Sequence, residues 1–146
     1  MPSFSHQVVI ERPIEAVFDV ATTAKHWPAW HPATVGVGGQ TERPAQLGDQ
    51  IIERATIAGR TGEGSWTVVE RVRPYTLTLQ SHTSLGEASI HYTLREEGGR
   101  TVFQRDLSYE LGPPELEAVM EQQSAQGVRN LKALLERLIP PAETQY

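Results

Sequence analysis

The stretch Pro114–Leu138, PELEAVMEQQSAQGVRNLKALLERL, decides the fold of this chain. Its apolar residues recur at three- and four-residue steps, which is the spacing of one face of an α-helix. Prolines precede and follow the stretch, acidic residues cluster near its start and basic residues toward its end, as the helix dipole favours. The pattern predicts one long helix, which at roughly 1.5 Å per residue measures about 36 Å.

Polar and small residues interrupt the apolar face of this helix halfway along it. Gln123, Ser124 and Gly127 occupy positions that an apolar stripe would fill, whereas Val128–Leu138 keeps an ordinary core pattern. A helix packed throughout on a solid core would keep its stripe apolar. We therefore expect the first half to cover a cavity, and we expect Gly127 to let the helix approach the sheet closely.

The residues before the long helix alternate in the pattern of short antiparallel strands. Phe4–Glu11 predicts the first strand, a short helix begins after Pro13, and Ala24–Trp30 predicts a second helical turn. The predicted turns between strands are Gly59–Gly62, Arg73–Pro74 and Glu97–Gly99. The remaining strands are predicted near Ala33–Val37, Gln50–Ala58, Gly64–Val72, Tyr75–Ser81, Ala88–Glu96 and Arg100–Leu111.

This order of one strand, two short helices, six strands and a long helix predicts an α+β fold in a single domain of residues 1–146. A curved antiparallel sheet with one apolar face needs a cover, and one long helix supplies it. The sheet leaves a wedge beneath the helix, and the wedge is a pocket wherever large side chains do not fill it.

Composition excludes several classes of protein. The 146 residues carry a net charge of −5 and no Lys/Arg cluster, so no nucleic-acid partner is expected. No apolar run approaches the roughly 20 residues of a membrane span and no signal-peptide pattern is present, so we expect no membrane insertion and a cytoplasmic location. The chain has no cysteine, its five histidines are isolated, and it has no dinucleotide fingerprint, so neither a metal nor a cofactor is predicted.

Four segments resemble the START-like, Bet v 1-like (SRPBCC) superfamily, and in particular its polyketide cyclase/dehydrase-like branch. They are the strand-to-helix entry Ile10–Asp19 (IERPIEAVFD), the tryptophan-proline turn His26–Pro32 (HWPAWHP), the strand Gly64–Pro74 (GSWTVVERVRP) and the turn Gly98–Phe103 (GGRTVF). The resemblance implies a helix-grip fold. In that fold a seven-stranded curved antiparallel sheet wraps around a long C-terminal helix, with two short helices between the first two strands and a ligand cavity inside.

Arg105 lies on the apolar side of the last predicted strand, where it alternates with Phe103, Leu107 and Tyr109. A buried arginine needs a partner, because an unpaired buried charge costs several kcal/mol. Glu53 lies on the more apolar side of its own strand and is the candidate partner. Two interpretations stay open. One is a structural role, either as an internal ion pair or as an arginine whose charged end reaches the rim, and the other is a site that binds an anion or carbonyl. No catalytic residue is assigned, and Arg105 and Glu53 are the candidates.

Apolar and aromatic residues at inward positions are interpreted either as core filling or as ligand lining. His31, beside two tryptophans, is interpreted as a polar surface residue. The candidate ligand-binding residues are Trp27, Trp30, Glu53, Trp66, Leu77, Leu79, Tyr92, Phe103, Arg105, Tyr109, Met120, Gln123 and Ser124.

The resemblance implies no single function, because its members include lipid carriers, hormone receptors, aromatic-ring cyclases and co-chaperones. The favoured function is the binding of a small hydrophobic or aromatic ligand, lipid-like or polyketide-like, between sheet and helix. The second is a cyclase or dehydratase acting on such a compound, with Arg105 stabilising an enolate and Glu53 or a histidine moving the proton. The third is a co-chaperone-like interaction module, which needs an exposed apolar groove. The ligand, any reaction and the choice between monomer and homodimer stay open.

Overall fold

A computed structural model describes residues 3–83, 86–110 and 114–141, and its elements follow the predicted order. A single turn of the 3-10 type, Ala24–His26, precedes the second short helix. The predicted end of the last strand at Leu111 lies outside the described residues. None of the described helices is long and apolar enough to cross a membrane. The elements are β1 (Ser3–Ile10), α1 (Ile14–Ala21), α2 (Trp27–Trp30), β2 (Thr34–Gly39), β3 (Gln50–Ile57), β4 (Arg60–Val72), β5 (Thr76–Thr83), β6 (Gly86–Glu97), β7 (Arg100–Tyr109) and α3 (Pro114–Leu138).

The seven strands form one antiparallel sheet in the order β1-β7-β6-β5-β4-β3-β2. Strands β2 to β7 pair consecutively, and β1 pairs with β7 from Ser3 opposite Ser108 to Ile10 opposite Thr101. The chain therefore crosses the whole sheet between β1 and β2, and α1 and α2 lie on this crossing. The curled sheet and the long helix confirm the predicted α+β helix-grip fold.

Two hairpin turns are built from residues with positive φ. Gly98 and Gly99, at φ 58° and 82°, join β6 to β7 as predicted. Ala58 and Gly59, at φ 51° and 78°, join β3 to β4. The predicted turn ran on to Gly62 and was wrong there, because Gly62 pairs inside β4. A two-residue turn with both φ values positive already matches the twist of the two strands, so no longer loop is needed.

The core lies between the sheet and the C-terminal half of α3. Val128, Leu131, Leu134 and Leu135 are buried there, as the apolar pattern predicts. Within Glu115–Gln123, by contrast, no side chain is fully buried. The first half of α3 therefore extends over the sheet without entering the core.

Gly127 brings α3 close to the segment that follows α2, and not to the sheet as predicted. A Cβ at this position would lie 3.3 Å from His31 Cδ2 and 3.7 Å from both Pro32 Cδ and Trp30 Cε3. A distance of 3.3 Å is shorter than most contacts that Cβ atoms make in proteins. The glycine thus lets the helix and this segment touch in the middle of α3.

Gly127→Val is expected to lower the free energy of unfolding by about 2 kcal/mol or more, because the branched side chain must displace the His31 ring. Gln122→Val, at an exposed position of the same helix, is the control and should cost roughly 0.5 kcal/mol through helix propensity. Denaturant unfolding measures both values. An equal loss in the two variants would contradict the close contact at Gly127.

Candidate functional site

A cavity of about 470 Å³ lies between the first half of α3 and the inner faces of β3 to β7. Its wall contains buried residues such as Arg105 and Leu107 and exposed residues such as Arg60, Glu63 and Glu87. The exposed residues mark the mouth of the cavity, and the buried ones mark its inner end.

Small residues keep this cavity open. Gly62 on β4 pairs with Ala55 on β3, so neither strand places a large side chain there. A Cβ on Gly62 would meet no described atom within 4 Å, and one on Gly64 would meet Ser81 Oγ at 3.7 Å. Ala88 on β6 also lines the wall. Larger side chains at these positions would occupy the cavity.

The inner face of β7 changes from polar to apolar along the cavity. Arg105, Leu107 and Tyr109 are buried at successive inward positions, as the alternation predicts. Each step of two residues covers roughly 6.6 Å. Their partners on β6, in the same order, are Tyr92, Ile90 and Ala88. The strand therefore separates a charged inner end from an apolar middle.

Arg105 is a cation with no acidic partner in the described part of the chain. It is only 6% exposed. Its Nη1 donates a hydrogen bond to Ser124 Oγ of α3 at 3.0 Å, and its Nε is buried without a partner among the residues described. A guanidinium group does not release its proton in a protein. The inner end of the cavity therefore carries a fixed positive charge.

Glu53 also lies on the cavity wall, but it is not the partner of Arg105. One carboxylate oxygen accepts a hydrogen bond from Trp66 Nε1 at 3.0 Å, and the other accepts one from the Thr34 hydroxyl. The predicted pair of Arg105 with Glu53 is therefore wrong. Alternation places both side chains on one face, but β4, β5 and β6 separate their strands in the sheet.

The predicted surface position of His31 is wrong, because the residue lies on the cavity wall against Gly127. Its Nδ1 accepts a hydrogen bond from the backbone N–H of Ala33 at 3.2 Å, and its Nε2 is buried without a partner within residues 3–83, 86–110 and 114–141. Burial, and then the charge of Arg105, hold the pKa of His31 well below its ordinary value of 6.5. His31 is therefore a neutral imidazole whose proton, by the Nδ1 hydrogen bond, belongs on Nε2.

Two tyrosines lie near the same charges. Burial raises the pKa of the Tyr92 phenol to about 12, although the Arg105 guanidinium beside it acts in the opposite direction. Burial also raises the pKa of Tyr109, and Glu117 and Glu121 of α3 add to the rise. Both phenols are therefore protonated at neutral pH. The Tyr109 hydroxyl has no hydrogen-bond partner among the described residues and is available to a ligand.

The predicted ligand-binding residues divide into two groups. Those on the cavity wall are Glu53, Trp66, Arg105, Tyr109, Met120 and Gln123. Those buried away from the wall are Trp27, Trp30, Leu77, Leu79, Tyr92, Phe103 and Ser124. In the second group the rings of Tyr92 and Phe103 pack at 5.1 Å, and Ser124 acts on the cavity through Arg105. Contact of either group with a ligand stays a prediction.

Several wall residues were missed by the sequence analysis. Ile90 and Leu107 had a usable signal, since they alternate on the same inner faces as Tyr92 and Arg105. Ser81 had the same signal, because it continues the alternation of Leu77 and Leu79 on the inner face of β5. Its hydroxyl oxygen also lacks a partner among the described residues.

The free energy of unfolding is expected to fall as the pH drops below about 6.5, because the unfolded chain then protonates His31 and the folded protein does not. The pKa of His31 is lower in the folded protein than in the unfolded chain. The loss of stability therefore begins near the pKa of the unfolded chain and grows as the pH falls toward the pKa of the folded protein. Denaturant unfolding between about pH 7.5 and 5.5 is compared for the wild type and for His31→Gln, whose side chain keeps an N–H donor but does not titrate in this range. The variant should lose less stability than the wild type. Equal losses would contradict a neutral, buried imidazole.

Solved structures share this fold over nearly the whole chain. A START superfamily protein from Mycobacterium smegmatis matches with a TM-score of 0.75 at 17% identity, covering 94% of this chain and 99% of that one. The Zhui aromatase/cyclase from Streptomyces sp. R1128 matches with a TM-score of 0.75 at 17% identity, covering 97% of each chain. At this level of identity the likeness concerns the fold alone.

Sequence comparison points to the same group. Penitrem biosynthesis cluster 1 protein I from Penicillium ochrochloron is 30% identical over 77 residues, which span 50% of this chain and 50% of that protein. The family described as polyketide cyclase / dehydrase and lipid transport matches residues 1–136. The helix-grip fold agrees with this match, and the chain belongs to the polyketide cyclase/dehydrase and lipid transport family.

Proposed function

We propose that this protein binds a small, largely apolar molecule in the cavity beneath the first half of α3. The observation that carries the proposal is the cavity of about 470 Å³, whose wall includes Gly62, Gly64 and Ala88 where large side chains would fill it. Its volume falls within the range of small-molecule pockets, roughly 300 to 1,000 Å³. Membership in a family of cyclases and lipid transporters supports the same role.

The wall suits a molecule with an apolar body and a polar group, such as a lipid or an aromatic polyketide-like compound. Ile90, Leu107 and Met120 supply apolar surface, and the flexible thioether of Met120 adapts to different shapes. Trp66 supplies an aromatic face whose orientation is held by its hydrogen bond to Glu53.

Native mass spectrometry of the purified chain, followed by solvent extraction, tests whether a compound occupies the cavity. A stoichiometric apolar compound is the expected result. An unliganded protein that also shows no thermal shift with fatty acids or aromatic polyketides would contradict the proposal, and an interaction with another protein would then be the better hypothesis.

Gly64→Ile is expected to weaken the binding of decanoate by roughly tenfold or more, because the side chain enters the cavity. The fold should tolerate the change, since a Cβ at this position meets only Ser81 Oγ at an ordinary 3.7 Å and β-branched residues suit strands. Ser65→Ile, on the outer face of the same strand, is the matched control and should leave binding unchanged. Calorimetry measures both. Unchanged binding in Gly64→Ile would contradict a ligand in this cavity.

A second candidate function is the cyclisation or dehydration of a poly-β-carbonyl compound in the same cavity. It is favoured by the N–H donors of Arg105 and His31 on one wall, which would stabilise an enolate oxygen as negative charge develops there. Glu53 would accept the proton released from carbon. His31 is not the base, because its Nδ1 is engaged by Ala33 and its Nε2 carries the proton.

Arg105→Gln separates the two candidates when it is tested with a linear poly-β-ketone. In an enzyme the variant should abolish turnover and largely spare binding, since the charge acts on the enolate. In a carrier it should only weaken binding. Mass spectrometry follows the product and calorimetry follows binding. A wild-type protein that binds this compound and converts none of it would count against the enzyme.

A further inference from the structure

We infer that the inner end of the cavity is a site for the carboxylate of an amphipathic acid, which enters with its charged head first and binds Arg105. The inference rests on the proposed function, because it names the class of ligand for the same cavity. It is carried by the charge of Arg105, which has no acidic partner, by the hydrogen-bond donors beside it and by its position at the inner end of the cavity.

The charge of Arg105 has no counter-ion among the residues that the structure describes. The carboxylate of Glu53 is engaged by Trp66 and Thr34. The groups that accept hydrogen bonds from Arg105 are neutral, namely the hydroxyls of Ser124 and Tyr92. A buried charge without a partner is costly, and a neutral carbonyl or alcohol would leave it uncompensated. A carboxylate would neutralise it.

Two N–H donors at the inner end of the cavity are available to a ligand. The Nε–H of Arg105 and the Nε2–H of His31 both lack an acceptor within the described part of the chain. The two side chains lie close enough for the charge of Arg105 to lower the pKa of His31. A carboxylate accepts hydrogen bonds and donates none, and its bond to a guanidinium is charge-assisted and therefore strong. An alcohol or amine would bring hydrogens that find no acceptor at these two groups.

The position of Arg105 at the inner end of the cavity favours entry with the charged head first. The mouth, which is marked by exposed residues such as Arg60, opens to solvent. The inner end carries Arg105, and Leu107 follows it on the same strand toward the mouth. A carboxylate at the mouth would stay in water, whereas at the inner end it would meet one opposite charge in a less polar medium, where the attraction between the two charges is stronger.

Decanoate and decanol have the same chain length and differ in the head group, so their affinities for the full chain test the inference. At about pH 7.5 the carboxyl group is ionised, and decanoate is expected to bind with a Kd roughly tenfold or more below that of decanol. Equal affinities, or tighter binding of decanol, would overturn the inference and leave the proposed function standing. Binding of neither compound would overturn both.

Arg105→Met replaces the charge with an unbranched apolar side chain. The decanoate affinity should fall to that of decanol, while the decanol affinity stays unchanged. The ligand-free variant should also melt at a higher temperature, because an uncompensated buried charge is removed. Arg95→Met, at an exposed position of β6, is the matched control and should alter neither quantity. A preference for decanoate that persists in Arg105→Met would overturn the inference. If the variant does not fold, the comparison of decanoate with decanol on the wild-type protein still tests the inference.

Discussion

The cavity depends on how α3 is fastened at its C-terminal end. The guanidinium of Arg12 donates hydrogen bonds to the backbone carbonyl oxygens of Glu136 and Ile139, at 2.6 Å each. These bonds satisfy carbonyl groups that the end of a helix leaves unpaired. Leu131 and Leu135 are fully buried in the same half of the helix. A helix of about 36 Å that is fastened at its C-terminal end extends across the sheet, and its first half becomes the roof of a cavity.

The inner end of that cavity links stability to ligand binding. Arg105 is held in place by Ser124 of α3, but a hydroxyl group does not compensate a charge. Packing alone would be better served by an apolar residue of similar length, because a buried charge without a counter-ion weakens a fold. The position of Arg105 is explained more simply by what it binds than by what it packs against.

The amino-acid sequence by itself determined the frame of the molecule, because the frame follows from local chemistry. Helical spacing and the flanking prolines place α3 at Pro114–Leu138, as the structure does. The pair Gly98 and Gly99 marks a tight hairpin, since glycine adopts positive φ without steric cost. The two-residue period of a strand places Arg105 inward. Each of these features depends on residues that are near one another in the chain.

Only the tertiary structure decided which inward residues meet. The two-residue period of a strand places Glu53 and Arg105 on the same face of the sheet. The order of the strands, however, brings Glu53 into a hydrogen bond with Trp66, and Arg105 donates a hydrogen bond to Ser124. His31 is half-buried, with its Nε2 fully covered, because α3 passes close to its ring at Gly127, which no pattern around position 31 encodes. The physical reason is that an open cavity and an unpaired charge depend on groups that folding brings together from distant parts of the chain. Sequence periodicity indicates only the direction in which each side chain points.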